Sequence, residues 1–409
     1  MKKISLLTLS TLCAGMTYAG SFQLNLQGMQ QTAMGGSGVA WPWDVSTIFF
    51  NPGGLSRLKG VEAYASGYFV SPHIRYVSSP EGSLSSDTKM HTSTPFAVYV
   101  GGPLKKDSRW GLGIGMYTPF GNSANWDYNW PGRYVIRSIS LESFFVQPTL
   151  SYRINDYVSV GAGFVYGFGT VDIKKAIPVQ YANGADGTAM LKGNANGIGF
   201  NAGVQIKATD YLQFGVSYRS AVDMKVNNGN ANFDVPAAAA ASFPATGFSS
   251  KLPLPSILTV GFGVRPWKKL VLQGDVVFAG WNSYDSLKFD FKQHTSSLQD
   301  MHDPRNYKNT VAVRFGARYQ LCDELALMAG AAYDPTPTQS DLVSPDAVDA
   351  DRTCLSGGLT YKPVPRLSLM AAVYYTTTSR REVTYTPDNF QGAYQIKSVI
   401  PAVGISYAF

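Results

Sequence analysis

Between residue 61 and the C-terminus, bulky apolar side chains alternate with small or polar ones at a period of two. Phe409, Tyr407, Ile405, Val403 and Val399 interleave with Ala408, Ser406, Gly404, Ala402 and Ser398. Phe144, Val146, Pro148, Leu150 and Tyr152 interleave with Phe145, Gln147, Thr149, Ser151 and Arg153, and Leu212, Phe214, Val216 and Tyr218 with Gln213, Gly215, Ser217 and Arg219. Successive side chains of a strand point to opposite faces, so each segment has one apolar face and one small or polar face. A single such strand fits a soluble sheet. A chain-long series fits strands set between lipid and an enclosed interior.

The segments number about 14, an even count as bacterial outer-membrane barrels require. They start near residues 61, 93, 110, 141, 157, 197, 211, 256, 269, 308, 325, 352, 367 and 397. Every second junction is short, as at Asn155-Asp156, Thr209-Asp210, Trp267-Lys268 and Cys322-Asp323. The others, at 78–91, 121–137, 177–196, 227–255, 293–306 and 335–351, are long and polar or Pro/Gly-rich. Short periplasmic turns and long extracellular loops give this asymmetry. The expected fold is therefore all-β, a transmembrane antiparallel barrel over 61–409.

The beginning of the chain reads differently. Met1-Lys2-Lys3, an apolar run and Thr17-Tyr18-Ala19 form an export signal over 1–19, with the mature chain starting near Gly20. Cys13 follows Leu12, where a lipoprotein signal needs a small residue, so lipidation is not expected. Residues 20–60 lack strand alternation and contain Gly35-Gly36-Ser37-Gly38 and Trp41-Pro42-Trp43. About 14 strands enclose more space than their own side chains fill. Irregular backbone is tolerated at membrane depth only where protein or water satisfies it, so this segment suits an N-terminal hatch inside the lumen.

Composition narrows the class further. Charged residues are 15% of the chain and aromatics 13%, as suits a wall that touches lipid. The net charge of +7 falls to +5 when Lys2 and Lys3 leave with the signal, and the basic residues are scattered, which argues against nucleic-acid binding. No apolar run beyond the signal is long enough for a transmembrane helix.

No catalytic or metal constellation is evident, and no cofactor is expected. His73, His91, His294 and His302 fall in or beside long loops without ligand-like spacing. Cys322 and Cys354 fall near opposite ends of neighbouring strands, beyond disulfide reach. Asp334 and Arg352 bracket one loop and are either a charge pair or two solvated charges. Arg153, Arg219, Arg265, Arg314, Arg318 and Asp275 share the inward parity. They either anchor the hatch and one another, the preferred reading, or form a basic lining for an anionic head group. In Trp110–Met116 the inward positions Gly111, Gly113 and Gly115 are bare, and Pro119-Phe120-Gly121 follows. Two readings stay open: close packing of the hatch, or a wall defect giving a ligand lateral passage.

These residues resemble a known family. Phe22-Gln23-Leu24-Asn25, then Ala33-Met34-Gly35-Gly36-Ser37-Gly38, then Asn51-Pro52-Gly53, are similar in order and spacing to the hatch of the long-chain fatty acid transporter (FadL/TodX) family. Gly132-Arg133-Tyr134, 281–285 and Tyr333-Asp334-Pro335 extend the likeness over the mature chain. The resemblance implies a monomeric 14-stranded barrel in the bacterial outer membrane, plugged by its hatch and taking up hydrophobic small molecules such as fatty acids or aromatic compounds. It implies capture at extracellular loops, an internal apolar pocket, and lateral exit at a kink in the third strand. Phe22, Leu24, Asn25, Asn51, Pro52 and Gly53 carry over as hatch residues, and Gly111, Gly113, Gly115, Pro119 and Phe120 by position as the lateral opening. Gly53 stands where the family usually has Ala. Trp41 and Trp43 are larger than usual and would narrow or reshape the pocket.

Phe233, Phe243 and Phe248 make the 227–255 loop too apolar for an ordinary solvated loop, and are candidates for ligand capture. Two other classes compete with uptake. A general diffusion porin requires an open polar lumen, and an adhesin or structural barrel acts through its loops with an inert lumen.

Overall fold

One antiparallel sheet closes on itself where Glu62–Tyr68 pairs with Phe390–Ala408 in register from Glu62↔Ala408 to Tyr68↔Ala402. The computed structural model describes residues 21–78 and 84–409, so the expected signal over 1–19 and part of the first long loop lie outside the described residues. Among the described residues there are twenty-two strand segments, many joined end to end across a bulge or short break. Glu62–Tyr68 and His73–Ser78 share the partner Phe390–Ala408, while Leu212–Arg219 and Val222–Asp234 share Asp186–Lys207. Joined this way, the segments make a closed barrel of 14 strands, the expected architecture.

The alternation resolves into an inside and an outside. Along the last strand Val399, Val403, Ile405 and Tyr407 are exposed while Ser398, Ile400 and Ala402 are buried. At the short-turn end, Trp110, Tyr157, Tyr211, Trp267, Tyr361 and Phe409 all face outward, an aromatic girdle at one interface.

Two expected loops are mostly strand. Val158–Gln180 pairs with Asp186–Lys207, leaving only a tight turn between them where 177–196 was expected to be loop. Likewise 227–255 is largely the paired segments Val222–Asp234 and Thr246–Leu254, joined through a 3-10 turn at Ala237–Ser242. A strand needs about 9–11 residues to cross the bilayer, so 23-residue Val158–Gln180 rises well beyond it. The Gly- and Asn-rich stretches here have poor strand propensity. Long-range pairing and a cluster of Ile177, Leu191, Val226, Phe248, Phe289 and Phe291 override it.

Residues 21–60 lie within the ring and bond to strands on several sides. Gly35 N donates to Ser356 Oγ, Gly38 N to Asp275, an Asn51 Nδ2 proton to the Val204 carbonyl, and Leu24 N to the Pro119 carbonyl. The segment is not wholly irregular: it contains short helices at Met29–Ala33 and Thr47–Phe50 and a 3-10 helix at Pro52–Arg57. Gly35 and Gly36 adopt φ of 69° and 82°, a turn that favours glycine and brings the backbone onto Gly330 of the wall.

Candidate transport site

Inward charges hold this plug. Arg219 donates to the Phe49 carbonyl (2.9 Å) and the Tyr117 hydroxyl (2.8 Å), with its guanidinium 4.2 Å from the Phe49 ring centroid. Arg314 donates to Asn25 Oδ1 at 2.9 Å and Arg318 to Gln30 Oε1 at 3.1 Å, while Asp275 accepts from Gly38 N and Val39 N. Arg265 lies over the Trp41 ring. Each of these buried or half-buried charges thus meets hatch backbone, amide or aromatic partners, which offsets part of its desolvation. Arg153 differs: it donates to the Asp107 carbonyl in a turn. Arg352 pairs with Asp349 at 3.5 Å, not with its cross-strand neighbour Asp334.

The hatch residues divide into two groups. Asn51, Pro52 and Gly53 clamp the far end of the hatch to the wall. Asn51 is fully buried and donates to the Val39 and Val204 carbonyls, while its Oδ1 accepts from Gly53 N. The Gly53 carbonyl accepts from Ser159 Oγ at 2.7 Å, and a methyl at Gly53 would sit 3.0 Å from two wall carbonyl oxygens. Phe22, Leu24 and Asn25 instead line a cavity of about 570 Å³. Trp41 and Trp43 stack at 5.7 Å, and Trp41 borders a separate polar cleft with Arg57, Arg153 and Arg265. Neither lines the large cavity, so they do not narrow it.

The large cavity reaches a break in the third strand. Trp110–Tyr117 is paired on both sides, with Val98 and Val100 opposite Met116 and Ile114, and Gln147 opposite Gly115. Beyond it, Gly121–Asn125 pairs only with the fourth strand among the described residues. Thr118 still bonds Phe96, and Lys89 N reaches the Asn125 carbonyl, but the ladder to the second strand lapses between them. Pro119 lacks a donor and interrupts the pairing. By the wall's alternation Phe120 belongs outside. The break turns it inward, where its ring meets Phe22 at 6.1 Å and Phe145 at 6.2 Å.

The hatch fills the missing place from within. Gln23 forms an antiparallel bridge with Phe120, flanked by Leu24 N to Pro119 O (2.9 Å) and Gly121 N to Phe22 O (3.1 Å). Just below, Phe96 and Phe144 from the second and fourth strands approach to 5.9 Å and also border the cavity. Periodicity missed this pair because both read as ordinary outward residues.

The structure separates the two readings of the glycine run. Gly111, Gly113 and Gly115 lie in intact ladder and admit close packing. Added methyls would sit 2.9 Å from the Ser56 backbone, 2.7 Å from Ile48 and 2.4 Å from the Tyr99 ring. The lapse in the ladder lies beyond them, at Pro119 and Phe120. The loop phenylalanines line no part of the cavity. Phe233 and Phe243 pack together at 5.8 Å in the extracellular extension, and Phe248 is fully buried against Phe289. His73 Nε2 lies 3.1 Å from Asp87 Oδ1 and His294 Nε2 2.8 Å from Asp300 Oδ1 at the surface, while His91 borders the cavity. Cys322 is exposed and Cys354 buried, both unbridged.

A lipid-facing barrel, a stoppered lumen and a cavity reaching a wall break define a class: outer-membrane proteins that move hydrophobic compounds. The sequence matches, over residues 10–409, the family described as outer membrane protein transport protein (OMPP1/FadL/TodX). The chain belongs to this family, which is non-enzymatic, and is an outer-membrane transporter of hydrophobic compounds. It is 26% identical to a putative outer membrane protein of Neisseria meningitidis serogroup B, covering 88% of this chain and 86% of that protein. It is 23% identical to the long-chain fatty acid transport protein of Escherichia coli, covering 100% and 98%. A crystal structure of a Pseudomonas aeruginosa FadL homologue superposes with a TM-score of 0.82 at 20% identity, covering 95% and 100%.

Proposed function

We propose that this protein, acting as a monomer, takes up hydrophobic small molecules passively, by lateral release through the break in its third strand. The observation that carries this reading is the continuity of the cavity from Phe22 and Leu24 to the lapse beside Pro119 and Phe120. A ligand enters from the extracellular side and rests in the cavity. It leaves for the bilayer when the hatch end withdraws from Phe120. Phe96 and Phe144 form the lower lip of that exit, closing over the small Thr118. The route avoids the hatch body, whose clamps at Asn51–Gly53 then stay in place throughout. Such a path solves a physical problem: the polar outer leaflet resists apolar solutes, and water-filled pores suit hydrophilic ones. A diffusion porin fits less well with a lumen occupied by 21–60.

The test is uptake of labelled oleate and toluene by cells lacking their own transporter, comparing wild type with Pro119→Ala,Phe120→Ala and with a hatch deletion. Wild type imports at least one of the two, and the break variant loses it while still inserting in the membrane. Large steady conductance of wild type in planar bilayers would instead establish the porin reading.

A further inference from the structure

We infer that the polar cleft at the periplasmic end of the barrel is an oxyanion site, where Arg265 and Arg153 of the wall take a carboxylate or phosphate group and fasten the hatch to the wall. The inference goes beyond the transport reading and does not depend on it.

The cleft holds about 410 Å³ between hatch and wall. Trp41, Pro42 and Arg57 come from the hatch, while Arg153, Lys207, Gln213 and Arg265 stand near strand ends beside the short turns. Arg219, Arg314 and Arg318 hydrogen-bond to the hatch, but Arg153 and Arg265 do not. Arg153 donates from Nη2 to the Asp107 carbonyl, which leaves Nε and Nη1 uncommitted. Arg265 makes no side-chain hydrogen bond or ion pair among the described residues; its guanidinium lies 4.6 Å from the Trp41 ring centroid. A guanidinium presents its N–H donors in a planar fork that matches carboxylate and phosphate. Gln213, itself buried, uses its side-chain oxygen on Gln205 and keeps its amide protons for the same cleft.

The charge balance calls for an anion. Arg57, Arg153, Lys207 and Arg265 line the cleft against two carboxylates, Asp156 and Asp210. Asp210 is held by Lys207 at 2.6 Å, and Asp156, which is exposed, gives Arg57 its backbone carbonyl. The Asp107 carboxylate lies outside the cleft among Lys105, Lys106 and Arg109. Burial and the neighbouring Arg153 both push the Arg57 guanidinium down from its ordinary value. Like charges gathered in a half-buried cleft repel, and an oxyanion between them relieves that cost. Trp41 belongs to the hatch and Arg265 to the wall, so an anion that fixes Arg265 on the indole also holds the hatch seated.

The experiment is calorimetry on the full-length protein in a non-ionic detergent at constant ionic strength, with inorganic phosphate and with a blocked aspartate dipeptide as probes. It compares wild type, Arg265→Lys, Arg153→Gln,Arg265→Gln, and Lys362→Gln,Arg366→Gln, a charge-matched pair that does not line the cleft. The double cleft variant is expected to bind both probes at least tenfold more weakly, equivalent to about 1.4 kcal/mol. Arg265→Lys should fall between, and the charge-matched pair should equal wild type. Saturating phosphate should slow proteolysis within 21–60 at least threefold in wild type and leave the double cleft variant unchanged. Tighter binding of the dipeptide marks a protein carboxylate as occupant and tighter phosphate a free anion; either supports the site. Wild type that binds neither probe, a double cleft variant that binds like wild type, or equal weakening in the charge-matched pair overturns it. Binding without slower proteolysis overturns the fastening of the hatch. None of these results bears on oleate uptake, so the transport reading stands or falls separately.

Discussion

If the hatch end must leave Phe120 for ligand to pass, tying it there stops transport. Gln23 and Phe120 are opposed in a bridge whose hydrogen bonds run between their neighbours, Leu24 to Pro119 and Gly121 to Phe22. This is the non-hydrogen-bonded kind of antiparallel pair, with Cα atoms about 4.5 Å apart, within disulfide range. Opening breaks two backbone hydrogen bonds at roughly 1 kcal/mol each. It also frees Phe22 from edge contacts with Phe120, Trp281 and Tyr284, worth about 2 kcal/mol together. At about 4 kcal/mol, roughly one molecule in a thousand is open at equilibrium. A Gln23→Cys,Phe120→Cys bridge closes a loop of about 98 residues, constraining the unfolded chain by about 4.7 kcal/mol and removing the open population. The variant is made with Cys322→Ser, since that thiol is exposed. Proteoliposomes are assayed for oleate transfer after oxidation and again after reduction. Oxidised protein should transfer at least tenfold more slowly, and reductant should restore the rate. Equal rates with the cross-link complete would refute the withdrawal step.

Three further outcomes follow from the same contacts. Gly215→Ala places a methyl 2.0 Å from the Val39 carbonyl oxygen, so the hatch should unseat, raising both protease sensitivity within 21–60 and bilayer conductance; unchanged values count against close packing. Asp275→Ala removes the acceptor for Gly38 N and Val39 N, bonds worth about 1.5–3 kcal/mol each to a charged group, so hydrogen exchange at those amides should rise at least tenfold. Burial alone would raise the Asp346 pKa, but Arg305, bonded at 2.8 and 3.1 Å, together with further hydrogen bonds, holds it below the usual carboxylate range. A lowered folded pKa contributes stability that is present above the unfolded value of about 3.9 and lost as pH falls through the folded one. The extracellular loop clasp should therefore resist proteolysis unchanged from pH 7 to 5 and loosen only in stronger acid, whereas Arg305→Ala should loosen it at every pH.

Legibility differed between wall and site. Outward Val403, Ile405 and Tyr407 were readable because lipid and lumen impose opposite chemistry on adjacent residues, a local signal of period two. The extended strands at 177–196 and 227–255 were not, because their residues favour turns and only cross-strand pairing holds them extended. Phe22 and Leu24 were found through resemblance, and they do border the cavity. Gly111, Gly113 and Gly115 left two readings open because a bare glycine looks the same whether it marks a hole or receives a neighbour. Only the position of Ile48, Ser56 and Tyr99 shows that these sites are filled. Phe96 and Phe144 went unnoticed because alternation assigns a face, not a neighbour two strands away.

The amino-acid order alone determined a closed, lipid-facing wall of about 14 strands and a separate leading segment, since partition between oil and water acts on each residue where it stands. Which wall strand carries the break and which face of the hatch meets it were decided by tertiary structure. Those features are relations between residues as far apart as Ser21 and Arg352, and no local preference encodes a distance.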